Sequence, residues 1–102
     1  MKKYSIYRGD TFCKQISALG YKFQPNDILR IAILSDTITG NKLYSDEINI
    51  AEEKDSIIIE IPSEKTSMIQ PGIYVLEFEL TYSGVTKTQQ FELIVKADGI
   101  YG

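Results

Sequence analysis

Apolar and polar residues alternate along most of the chain, and the alternation is clearest between Ile73 and Lys96. Ile73 to Tyr82 and Val85 to Lys96 read as two long strands joined at Ser83-Gly84. A two-residue turn there pairs Tyr82 with Val85 and fixes every pair below it. Leu76 then falls opposite Phe91 and Tyr74 opposite Leu93, while Glu77 meets Gln90 and Glu79 meets Thr88. Apolar residues meet on one face and polar residues on the other, so turn and pattern predict the same hairpin.

Five shorter strands come before it. Lys3 to Tyr7 alternates weakly, and Thr11 to Ser17 holds Phe12 and Ile16 in phase. Asp27 to Ser35 follows a Pro25-Asn26-Asp27 turn. It sets Leu29, Ile31 and Ile33 on one face and Ile28, Arg30, Ala32 and Leu34 on the other; the arginine predicts that the first face points inward. After a turn at Thr39-Gly40-Asn41, Lys42 to Ile50 places Asp46 among Tyr44, Ile48 and Ile50, which predicts an edge position or a bulge. Ser56 to Ile61 turns Ile57, Ile59 and Ile61 inward, and Pro62 ends it. Ser63 to Gln70 is the one candidate helix, with Ser63 as N-cap, Met68-Ile69 as a plug for the core and Pro71-Gly72 as its stop. Seven strands spaced by turn signals predict an all-β fold: a seven-stranded antiparallel immunoglobulin-like β-sandwich with one short helical turn before the sixth strand. The disulfide and core tryptophan of antibody domains are missing from it.

A length of 102 residues implies one domain, residues 1–102. The net charge of −3 speaks against nucleic acid as a partner. It also hides an asymmetry. Residues 1–30 carry six basic and two acidic side chains, and the remainder five and twelve, a division that charge-guided stacking of copies would use. Cys13 is the single cysteine, so no intrachain disulfide forms; lying between Phe12 and Lys14 in a strand, it is expected to be a buried, inert thiol. The N-terminus does not read as a signal peptide. The longest nearly apolar run, Ile28 to Leu34, is too short for a bilayer and contains Arg30, so no membrane partner is expected. Synthesis in a cytoplasm that keeps the thiol reduced follows as the expectation.

Candidate chemistry is sparse. Histidine, the commonest general base and metal ligand, does not occur. Cys13 therefore has no imidazole to activate it. Asp46, Glu47, Glu52, Glu53 and Asp55 match no calcium-loop spacing and read as a solvated acidic segment. Glu77 and Glu79 share a strand face at about 7 Å, a separation loosely like that of glycosidase carboxylates, but Gln90 and Thr88 opposite them make a polar sheet face instead. No residue is assigned a catalytic, cofactor-binding or metal-binding role, and the expectation is a protein that is not an enzyme. Arg8-Gly9-Asp10 is the integrin-binding tripeptide, yet a strand-to-strand turn accounts for its glycine and aspartate.

Several short motifs carry a family resemblance. Arg8-Gly9-Asp10-Thr11-Phe12 places a Gly-Asp-Thr turn before a strand. Ile61-Pro62, Thr66 and Pro71-Gly72-Ile73-Tyr74 follow in order, with Glu77 continuing the acidic alternation. Gly84-Val85-Thr86-Lys87-Thr88, Phe91 to Val95 and Ala97-Asp98 close the set. Together these resemble the small immunoglobulin-like sandwich modules of tailed bacteriophages and prophages, such as the N-terminal domain of phage baseplate upper proteins. Those proteins continue into further domains, so a chain of this length implies a small accessory or connector of tail, baseplate or head. The resemblance implies a virion structural module made in a bacterial cytoplasm and assembled into a phage or phage-like particle. Its partners would be itself and other particle proteins. A carbohydrate- or surface-binding adhesion module, using some of the seven tyrosines as a stacking platform, is the alternative.

Two surface expectations follow from the strand order of such a sandwich. The third strand lies beside the sixth, and the sixth beside the seventh. Ala32, Leu34, Ile73, Val75 and Ile94 then point away from the core towards one end of a sheet, forming an apolar patch rimmed by Arg30, Glu77 and Glu92. Such a patch is a docking surface, and a symmetric homo-oligomer is its simplest use. Lys87 and Gln89 share a face with Phe91 and Leu93 but cannot be buried unpaired. The sandwich is therefore expected to taper, leaving Tyr82 to Gln89 projecting beyond the second sheet.

Overall fold

The structure, a computed structural model, describes residues 2–36, 38 and 40–97. Seven strands and one helical turn follow one another: β1 (Lys3–Tyr7), β2 (Phe12–Ile16), β3 (Ile28–Leu34), β4 (Lys42–Asn49), β5 (Ile57–Ile61), α1 (Ser63–Thr66), β6 (Gly72–Tyr82) and β7 (Val85–Lys96). Five strands form one sheet in the order β1-β7-β6-β3-β4, and β2 pairs with β5 in a second. The fold is all-β, with the predicted helical turn in place before β6.

The hairpin of β6 and β7 has the register read from the sequence, from Tyr82↔Val85 to Tyr74↔Leu93. Ser83 (φ 48°) and Gly84 (φ 76°) are both left-handed, the requirement of a type I′ turn, whose twist matches that of the strands it joins. Leu76, Phe78, Phe91, Leu93 and Val95 face the core, where they meet Leu29, Ile31 and Ile33 of β3. Phe12 of β2 and Ile57, Ile59 and Ile61 of β5 close the core from the other sheet. Burying an isoleucine is worth about 1.5–3 kcal/mol, so three from β5 easily outweigh leaving Ile58 exposed.

The expectation of seven antiparallel strands is corrected at β1, which runs parallel to β7, with Lys3 opposite Glu92 and Tyr7 opposite Lys96. The cause lies in the next turn. Asp10 N–H donates to the Tyr7 carbonyl at 3.0 Å, and Gly9 takes φ 88°. That turn carries the chain from the larger sheet to the smaller one, so β1 cannot fold back on β2. It pairs instead with β7, which runs in its own direction.

Local readings are corrected too. Pro62, not Ser63, occupies the N-cap of α1, and no side chain caps it. Ile69 plugs the core as expected, but Met68 is 75% exposed. Cys13 is exposed rather than buried. Phe12, Lys14 and Ile16 take the core side of β2, so strict alternation sends Cys13 outward. The expected turn at Thr39-Gly40-Asn41 includes Thr39, outside the described residues, as is Asp98 of the last motif; Gly40 is left-handed, and Ser35 N–H donates to the Asn41 carbonyl.

β4 is both an edge strand and a bulged one, its register with β3 shifting between Ile33 and Leu34. Asp46 lies opposite the buried Ile31, on the core side of the sheet, and is nonetheless exposed. Two strands cannot cover five, so Asp46 stays open to solvent although Tyr44 and Ile48 on either side of it pack against the core. The same mismatch leaves residues 83–89 exposed, Lys87 and Gln89 among them, as the taper predicts.

Candidate functional site

The outer face of the five-stranded sheet carries the residues singled out from the sequence. Leu34 pairs with Val75, and Ile73 with Ile94, one step along β6. Ala32, Leu34 and Val75 form an apolar cluster separate from the main core. They are already largely withdrawn from solvent, Val75 being 7% exposed. Ile73 is the open member at 65%, and Ile94 is half-buried. The sheet thus brings all five together, but the surface a partner could touch is centred on Ile73 rather than Val75.

The polar side of this face is internally bonded. Arg30 donates from Nε to Glu47 at 2.9 Å and from Nη1 to Glu79 and Thr81 at 3.3 Å each. Gln90 donates to Glu77 at 3.1 Å, and Lys3 pairs with Glu92 at 3.4 Å. These groups are part-exposed, so each ion pair contributes only about 0–1 kcal/mol. Their effect is to hold the rim of the patch in one arrangement.

Most of the carboxylates weighed as chemistry are engaged in the same way. Glu77 and Glu79 meet Gln90 and Arg30; Glu53 accepts from Gln24 at 3.0 Å, and Asp55 lies 3.7 Å from Lys22. Among the described residues no three His, Cys, Asp or Glu side chains gather as a metal site, and no helix is long and apolar enough to cross a membrane.

The Arg8-Gly9-Asp10 segment has a structural role. Arg8 Nε donates to the Ser67 carbonyl at 2.8 Å, and the buried Thr66 hydroxyl donates to the Asp10 carbonyl at 2.7 Å. The two bonds fasten the β1–β2 turn to α1. Alternation could not reveal this pair, because it joins two irregular segments.

A second polar node escaped the sequence reading. Asp27 is buried, and its Oδ2 accepts from the Tyr21 hydroxyl at 2.6 Å and the Gln24 N–H at 2.9 Å. The phenol of Tyr21 is pushed up to about 12, first by its hydrogen bond to Asp27, then by desolvation and the nearby negative charge. Asn26 at φ 76° follows Pro25, the order of a type II turn. The Pro25-Asn26-Asp27 signal marked the turn but not the tyrosine it anchors. Tyr21 also lies on Tyr82, ring centroids 4.7 Å apart, beside the hairpin tip. Burial, then the charge of Asp46, raises the Tyr44 phenol on the edge strand β4.

No known family, curated protein or solved structure matches the chain.

Proposed function

We propose that this protein is an immunoglobulin-like sandwich serving as a non-enzymatic structural module of a phage or prophage particle, acting by protein–protein contacts. The strand order supports the fold reading. β2 and β5 stand where the B and E strands of such a sandwich pair, β3, β6 and β7 where C, F and G pair, and β4 flanks β3 as an added edge strand. The motifs from Gly9-Asp10-Thr11 to Gly84-Val85-Thr86 support the phage assignment through resemblance.

The observation that carries the contact reading is the outer sheet face. Ile73 stands open beside Ile94 and the Leu34–Val75 cluster, inside a rim whose charges are already fixed. An apolar centre within a bonded polar rim is the anatomy of a docking surface. Its occupant is another copy or a neighbouring particle protein. A glycan library titrated against the native protein separates this from the adhesion alternative, for which the Tyr21–Tyr82 pair offers a stacking surface. The contact reading expects no saturable glycan binding; a glycan that binds stoichiometrically and shifts Tyr21 or Tyr82 resonances favours adhesion.

A further inference from the structure

Sheet two has only two strands, so β2 has one edge with no backbone partner among the described residues. Beside it the inner face of the larger sheet is indented, although Phe78 and Phe91 are themselves only 6% and 7% exposed. Two adjoining depressions of about 370 and 340 Å³ run there, sharing Ile16, Ser17, Phe78 and Gln89. Residues 14–17 of β2 and its end form one wall. The floor is aromatic: Tyr4 and Phe91 lie 5.1 Å apart, and Phe91 and Phe78 5.7 Å. Lys2, Lys14 and Lys87 border the two depressions, and among the described residues no acidic one lines either. Lys14 Nζ sits 4.8 Å over the Tyr4 ring, on the core side of β2 but without a carboxylate partner among the described residues.

We propose that this trough is the seat of one extended strand, filled by β4 of a second copy of the chain. Three features of β4 match it. One edge of β4 is unpaired, so its backbone can add to that of β2 and make the smaller sheet three-stranded. Its inner face holds Asp46 exposed between Tyr44 and Ile48, which are half-buried against their own core. Asp46 meets the lysines at the border of the trough, none of which has a carboxylate partner among the described residues. The lengths agree as well. Tyr44 to Ile48 is five residues, four steps of about 13 Å in all, and Lys87 to Phe91 of the floor spans the same.

An aspartate on the core side of an edge strand is also a device against indiscriminate pairing, since it cannot be buried without a cation. The lysines of the trough supply that cation, so the charge that blocks other edges selects this one. No residue of β4 lines the trough, so each copy can give a strand and receive one. The contact is heterologous, building rings or filaments rather than a closed two-fold dimer. It uses none of the outer-face residues around Ile73.

Amide exchange on the unmodified protein tests this without any substitution. Backbone amides of residues 13–17 should exchange more slowly as protein concentration rises, and lose that protection at high salt. Lys14→Glu combined with Lys87→Glu, or Asp46→Lys alone, should weaken association by roughly tenfold or more, the scale of a close interfacial charge pair. Mixed together, these two variants should regain association and alternate along the assembly, because Asp46 of one meets the lysines of the other and the two reversed surfaces match each other. Ile73→Asp should leave the protection of residues 13–17 unchanged. A protein that stays monomeric at every concentration overturns the proposal. So does association in which residues 13–17 stay unprotected, or in which the charge-reversed variants assemble like the original.

Discussion

Thr66→Val isolates the bond that fastens the β1–β2 turn to the body of the molecule. The Thr66 side chain is fully buried, and its hydroxyl donates to the Asp10 carbonyl at 2.7 Å, with the Ser63 carbonyl at 3.1 Å as a weaker second acceptor. Valine keeps the shape and removes the donor. Leaving this part-buried acceptor without its donor costs about 1–3 kcal/mol. The methyl that replaces the hydroxyl returns roughly 1 kcal/mol of apolar burial at most, so a net loss of about 1–2 kcal/mol is expected. For a domain of this size that lowers Tm by about 4–16 °C. Thermal unfolding followed by circular dichroism reads the loss, and amide exchange should show faster opening at the Asp10 N–H. If Thr66→Val melts at or above the original temperature, the turn is held by something other than this hydroxyl.

Other expected outcomes are independent of that bond. Cys13 should react with a thiol reagent in the native protein at a rate close to that of the unfolded chain; labelling that waits for unfolding would contradict its outward position. Tyr21 has a folded-state value raised to about 12 from an ordinary 10.0. Its contribution to stability is therefore complete below pH 10 and lost as pH rises towards 12. Denaturant melts of the original and Tyr21→Phe proteins should differ by a constant amount below that window and converge within it, whereas a difference that grows with pH would reverse the sign.

The sequence foretold most where local chemistry and long-range pattern coincide. Ser83-Gly84 selects a turn with two left-handed residues, and that choice sets eleven pairs of the β6–β7 hairpin. The inward face of β3 was legible because Arg30 cannot lie in a core. Strand direction at the chain's start was not legible, since alternation in Lys3 to Tyr7 is the same for a parallel and an antiparallel neighbour. The flanking residues of Cys13 suggest burial, but its phase decides: Phe12 is buried, so its neighbour faces out. Asp46 and Lys87 looked like errors in two strand patterns. Each is a consequence of the two sheets' unequal width, which no single strand encodes. The outer-face patch was legible as a set of positions, but not the burial of Ala32, Leu34 and Val75 within one chain, which moves the accessible centre to Ile73.

The central claim is that this protein works by docking its outer sheet face, and light scattering on Ile73→Asp tests it most directly. Ile73 is 65% exposed, so the new charge spares the core, and the cost in strand propensity is about 1 kcal/mol or less. The account predicts that the original protein forms a species larger than one chain at high concentration. The variant should form a smaller one that still unfolds cooperatively. An original protein that remains a monomer, or a variant that assembles to the same size, would contradict it.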